Sequence, residues 1–266
     1  MNIKNAVGRV FNVWFWLTSS FFRILFLVVS IVVIINLTYL FGFHILVGTL
    51  KGGDAGYAYH NLYWFARWYP EIPVWYPLQG AGFSFTLSYP FIQNIVAVWV
   101  KNLFAFDLNQ SLRVLTFASY LWGALGVYAF CATRLKNQVI GFVASVLFLI
   151  IPGNWFWITK LGYYAYTIAI SFIPWGFLTF DLFLTSFFKK TSGLGKAIRL
   201  FLAALVLGLA FMFHTFVGVA MALGYLVYGV VAGLLLHKNL ISFRGIIKGL
   251  SSSVLVLAST FTLFST

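Results

Sequence analysis

The chain has 266 residues, of which 62% are hydrophobic and only 8% charged. A soluble domain carries about 25% charged residues, so this surface cannot be covered with polar groups and its solvent must be lipid. The formal net charge of +13 does not indicate nucleic acid: the basic residues are spread thinly between apolar runs, with no basic helix or dense patch, and so read as topology signals.

Residues Met1 to Phe22 carry Lys4, Arg9, Trp14 and Trp16, a pattern for a short helix lying on the inner membrane surface. Arg23 is placed to snorkel to the interface. The run Ile24 to Gly48 is longer than a signal-peptide core, and no small-x-small cleavage site follows it, so it is expected to stay as a signal-anchor helix. Seven apolar runs follow: Tyr89–Phe106, Leu112–Thr133, Val139–Trp157, Gly162–Phe188, Ile198–His214, Val217–Leu236 and Leu250–Thr266. A spanning helix needs about 20 apolar residues, and charge arbitrates the doubtful first run. If Tyr89–Phe106 spanned, then Arg134, Lys136, Lys189, Lys190, Lys196 and Arg199 would all fall outside, against the positive-inside rule. If it lies along the outer surface, twelve basic residues fall inside and five outside.

The expected fold is therefore all-α, a polytopic transmembrane bundle of about seven spans. It is one domain over residues 1–266, in the plasma membrane, with the N-terminus cytoplasmic. Two interfacial helices belong to one long outer loop, residues 49–111. Pro152-Gly153-Asn154 should break the third span near the outer face, where Trp155, Trp157, Tyr163 and Tyr164 fit an aromatic belt. The last run stops without a polar tail, so the chain is expected to be an N-terminal piece of a longer protein. Cys131, inside an apolar run, is expected to be an inert thiol.

Within the outer loop, the stretch Lys51 to Phe91 holds two of the four acids, four of the six prolines and many Trp and Tyr residues. Gly52-Gly53 permits a tight or left-handed turn. A helix should then begin at Ala55, with Tyr57, His60, Trp64 and Arg67 on the face of Asp54 and with Ala58, Leu62, Phe65 and Ala66 opposite. Asp54 suits a helix N-cap, but Tyr57 stands where a capping box needs Glu or Gln. An acid near a membrane is expensive, which favours a functional role. His60 is either a packed interfacial histidine or a site residue. Arg67 is a partner for Glu71 or a lipid phosphate, or else a substrate clamp. Tyr57 and Trp64 are interfacial anchors or stacking platforms. His214, at the outer end of the fifth span, and Lys160, in the second outer loop, are placed to face a cavity above Asp54. A cation there would hold a departing phosphate. The alternatives are a helix-end cap for His214 and a headgroup contact for Lys160. Asp181 lies far away and reads as structural. Asp107 and Arg113 flank the second span and are placed to pair. Gly193-Leu194-Gly195-Lys196 reads as an inner loop without phosphate-loop spacing, so nucleotide binding is discounted.

Taken together, one signal-anchor helix followed by Gly52-Gly53-Asp54, His60, Trp68, Pro73-Val74-Trp75, Gly80-Ala81-Gly82 and Tyr89-Pro90 resembles the GT-C superfamily of membrane glycosyltransferases. The likeness is greatest to polytopic proteins labelled 6-pyruvoyl-tetrahydropterin-synthase-related. It runs from Met1 to about Leu236, and its specific part is Gly52 to Pro90. The resemblance implies a polyprenyl-phosphate sugar donor, transfer at the outer face and an early loop acid, matched by Asp54, as base or metal ligand. Phe91 replaces the second proline of the family's Tyr-Pro-Pro, no second acid accompanies Asp54, and the family's later domains are missing. A lone carboxylate is a poor site for Mg²⁺ or Mn²⁺, so no metal or other cofactor is expected and Asp54 is assigned as a general base. Expected partners are membrane lipid, the lipid-linked sugar and an unidentified acceptor. The rival expectation is a non-catalytic membrane protein, a lipid or polysaccharide transporter or an assembly factor. Transporters tend to carry acids and inverted repeats near the midplane; no such repeat is visible.

Overall fold

In lipid, a spanning segment must satisfy its backbone polar groups internally, which makes long apolar runs helical. The computed structural model describes residues 20–50, 52–73, 75–76, 83–84, 91–188, 192–236 and 243–264. The N-terminal surface segment, Lys51, Gly80-Ala81-Gly82, Tyr89-Pro90, Lys189, Lys190 and Lys238 lie outside the described residues.

The first helix, α1, is Ser20–Leu46, followed by α2 (Ala55–Trp68). A two-residue antiparallel ladder, β1 (Trp75–Tyr76) with β2 (Phe83–Ser84), pairs Trp75 with Ser84 and Tyr76 with Phe83. Then come α3 (Phe91–Phe104), α4 (Leu108–Leu135), α5 (Gln138–Ile150) and α6 (Pro152–Phe156), which runs into a π-helical turn at Trp157–Leu161. The chain continues as α7 (Tyr164–Ile170), α8 (Ile173–Phe188), α9 (Gly193–Phe213), α10 (Thr215–Leu236) and α11 (Phe243–Phe264). Among the described residues six spans are long and apolar enough to cross a membrane: α1, α4, α7 with α8, α9, α10 and α11. A seventh forms if α5 and α6 with its π turn, bent by 46° at the Pro152 break, count as one. At 14 residues, α3 is about 21 Å long, shorter than the ~30 Å hydrocarbon core.

Two boundaries differ from expectation. Gly193-Leu194-Gly195-Lys196 is the first turn of α9, not a loop, because the Ser192 hydroxyl accepts from the Gly195 N–H and caps the helix. The last helix starts at Phe243, so Arg244 and Lys248 lie within it.

The bundle closes tightly where glycines meet. A Cβ on Gly249 would lie 2.0 Å from the Gly229 carbonyl, and one on Gly233 would lie 2.4 Å from the Gly245 carbonyl. Small residues four apart on both α10 and α11 let the backbones touch, as in membrane helix pairs generally. At one end of the bundle Arg134 Nε stands 3.5 Å from Asp181 Oδ1, which also accepts from the Tyr228 hydroxyl at 2.7 Å. Asp181 thus ties α4, α8 and α10 together.

At the opposite end α2 lies on the bundle through Ala58, Leu62 and Phe65. These pack with Ile45, with Ala97 and Val98 of α3, and with Leu112, Ile158 and Tyr164. Arg113 does not pair with Asp107. Its guanidinium is buried and donates to the Ile45 carbonyl at 2.7 Å and to the Gly48 carbonyl, closing the end of α1. Asp107 is occupied as a cap: it accepts from the Gln110 N–H at 2.7 Å, while the Gln110 side chain accepts from the Asp107 N–H at 3.2 Å.

Candidate functional site

The segment leaving α1 is held against the end of the π turn that follows α6. Gly53 N–H donates to the Lys160 carbonyl at 3.1 Å, and Asp54 N–H donates to the Leu161 carbonyl at 2.8 Å. Lys160 and Leu161 end the π turn, where the last carbonyls of a helix lack partners within it, and π turns are frequent at functional sites. Glycine is required at the crossing: Gly52 has φ +102°, and a Cβ there would fall 2.1 Å from the Gly162 nitrogen.

This strap places Asp54 at the start of α2. Its carbonyl accepts the Ala58 N–H at 2.9 Å, but its side chain makes no capping hydrogen bond. The exposed carboxylate instead lines a cavity of about 310 Å³. Tyr57 and Gln93 stand on the same wall, from the first turns of α2 and α3. The opposite wall comes from Trp157, the segment Gly162–Tyr166 and the α9–α10 corner, with His214 and Phe216.

The aromatic lining is continuous. Tyr163 stacks on Trp157 with centroids 5.6 Å apart, Trp157 meets Tyr166 at 5.0 Å, Tyr166 meets the His214 ring edge-on at 5.3 Å, and Phe216 lies 6.0 Å beyond. His214 is the C-cap residue of α9. Burial pushes its pKa below the ordinary 6.5, so the ring is neutral at pH 7 and offers hydrogen bonds without a positive charge. His214 faces the cavity, and burial works against the positive charge expected of it.

Of the other residues singled out in the sequence, Asp54, Tyr57 and His214 meet at the cavity, and His60, Arg67, Trp64 and Lys160 lie outside its described lining. The reason is helical rise. Only the first turn of α2 borders the cavity, and Arg67 lies ten residues on, about 15 Å along the axis. His60 and Arg67 are exposed, and Arg67 makes no ion pair with Glu71. The Trp64 indole N–H donates to the Trp75 carbonyl at 3.1 Å, which fastens the irregular link to α2. Lys160 is exposed, and its carbonyl serves the strap.

Gln93, Tyr163, Tyr166 and Phe216 were not singled out as site residues. Gln93 carried one available signal: it stands four residues before Ala97, on the buried face of α3, where a polar residue is out of place. Among the described residues no three His, Cys, Asp or Glu side chains gather as a metal site.

The fold and this rim define a multi-pass membrane protein with a cavity at one end of its helix bundle. Comparison with family models, with curated proteins and with solved structures finds no match to the chain.

Proposed function

We propose that the protein is a membrane glycosyltransferase, or the membrane part of one, moving a sugar from a polyprenyl-phosphate donor to an acceptor hydroxyl at the outer face. The observation that supports this reading best is an aromatic-lined cavity at one end of the bundle that meets an uncapped carboxylate, Asp54. Pockets of this size, apolar with a few convergent polar groups, suit small-molecule substrates. A carboxylate placed at the rim on a rigid strap suits a base better than a stabilising contact.

In this reading Asp54 takes the proton from the acceptor hydroxyl as its oxygen bonds to the anomeric carbon. The bond from that carbon to the phosphate oxygen breaks in the same step, and polyprenyl phosphate leaves with the electron pair. His214 is neutral, so it donates a hydrogen bond to the developing charge. Lys160, exposed two residues before Gly162 of the cavity wall, suits a countercharge for a phosphate kept at the mouth. We assign the bundle to the plasma membrane, with the N-terminus cytoplasmic and Asp54 outside. Convergence of the cavity on a carboxylate favours this reading over a non-catalytic one.

The deciding experiment supplies membranes containing the chain with polyprenyl-phosphate mannose, glucose and arabinose and measures release of polyprenyl phosphate by mass spectrometry. Release by the wild type that is lost in Asp54→Asn is the expected result, and equal release by both removes the base. In a Cys131→Ser background, a membrane-impermeant maleimide applied to intact cells should label Lys51→Cys and leave Lys136→Cys unlabelled. Labelling of both from the same side would reject the topology.

A further inference from the structure

The interior beneath the strap holds three carboxamides that neither the helix packing nor the proposed reaction uses. Asn61 of α2 and Gln93 of α3 are 0% exposed, and Asn94 is 1% exposed. Among the described residues, both amide atoms of Asn61 and of Gln93 and the Asn94 oxygen lack a hydrogen-bond partner. Buried polar groups are nearly always bonded, and each exception calls for a cause. Of the three, Gln93 is the one in the cavity wall.

Charge narrows what that wall can take. Among the described lining residues Asp54 is the only acid, and none is Lys or Arg. His214 is neutral at pH 7, as burial dictates. An anionic group inside would meet the Asp54 carboxylate with no cation in the described lining to offset it, which is unfavourable. Flat aromatic faces at Trp157, Tyr163 and Tyr166 suit the apolar face of a saturated ring. A carboxamide offers a donor and an acceptor side by side, so its complement is a group offering the same pair: two neighbouring hydroxyls, or another amide.

We infer that the cavity selects an uncharged glycosyl ring over an anionic one, and that Gln93 is its specificity-determining contact. The ring's hydroxyl pair, or an acetamido group, exchanges hydrogen bonds with the Gln93 carboxamide, while its carbon face lies on the aromatic wall. The inference rests on the transferase reading for the choice of a sugar as ligand, but its test needs no turnover, so the two can fail separately.

The test uses the full chain in phosphatidylcholine nanodiscs and saturation-transfer NMR. Three probes are compared: methyl β-D-glucopyranoside, methyl N-acetyl-β-D-glucosaminide and methyl β-D-glucuronide. The two neutral glycosides should receive saturation and displace one another, with the stronger of them marking whether hydroxyls or an amide are preferred. The glucuronide should bind about tenfold more weakly or not at all. Gln93→Leu should weaken the neutral probes by about tenfold without lowering the melting temperature, since it removes a buried amide without a partner among the described residues. Gln93→Met, unbranched like glutamine, repeats the test if the leucine variant fails to fold. Glucuronide binding equal to the neutral probes, no saturation of any probe, or undiminished binding in the folded variants would each overturn the inference. Binding through Gln93 in a protein whose Asp54→Asn variant still transfers would leave this inference standing and remove the proposed base.

Discussion

Asp54 and Asp181 are the same residue type at opposite ends of one bundle, and their surroundings could hardly differ more. Asp181 is buried, faces Arg134 and accepts from Tyr228. Asp54 is exposed, caps nothing with its side chain and borders a cavity. An acid in a membrane protein is costly to keep. At Asp181 that cost is offset by a partner and a hydroxyl, and the result is a tie between three helices. Asp54 is exposed and keeps its hydration, so its side chain ties nothing together, and the backbone around it is fixed by a dedicated strap. The contrast separates an acid that holds the fold from one held by it.

The strongest way to break this contrast is Asp54→Asn. On the transferase reading, loss of the proposed base should slow transfer by about a hundredfold or more, measured as polyprenyl phosphate released, while stability changes by no more than about 0.5 kcal/mol. A large drop in melting temperature would place Asp54 with Asp181 as a structural acid. Next comes Gly52→Ala. The added Cβ strikes the Gly162 backbone at a positive φ, so a cost of about 3 kcal/mol is expected, together with loss of glycoside binding. Unchanged melting and binding would mean that the strap does not position Asp54. A smaller effect, about 2 kcal/mol, is expected for Asp181→Ala. It stays below that of a fully buried pair because the Arg134 side chain is 30% exposed and rehydrates. Pairing it with Arg134→Met should recover part of the loss in thermal melts; an additive double variant would deny the tie.

The smallest effect concerns pH. Burial makes the folded protein bind the His214 proton less readily than the unfolded chain does. That contribution to stability is complete above the ordinary value of 6.5 and is lost as the pH falls through the lowered one. Melting temperatures at pH 7.5 and 5 should therefore diverge less in His214→Gln than in the wild type, and identical divergence would show that burial of this ring is inconsequential.

The spans were legible because membrane thickness sets a length that apolar runs must meet, and the two faces of α2 followed from a 3.6-residue period. Ala58, Leu62 and Phe65 are buried as that period required. Contacts between distant segments were not legible. Arg113 reaches carbonyls 68 and 65 residues away, and no local pattern encodes that reach. The first turn of α9 was missed because a Gly-rich stretch hid its Ser192 cap. Asp54 drew notice as a rare acid, but the cavity beside it takes its walls from five separated segments, and only the folded chain shows which sides they present. Gln93 passed unnoticed because one amide in an apolar run looks like surface until its neighbours are known.

The Gly53 and Asp54 hydrogen bonds to the carbonyls of Lys160 and Leu161 make the placement of the acid an inheritance from the π turn Trp157–Leu161. The same turn carries the Trp157 ring of the pocket wall and the two carbonyls that hold the acid. The wall of the pocket and the position of its carboxylate are thereby set by one turn of helix.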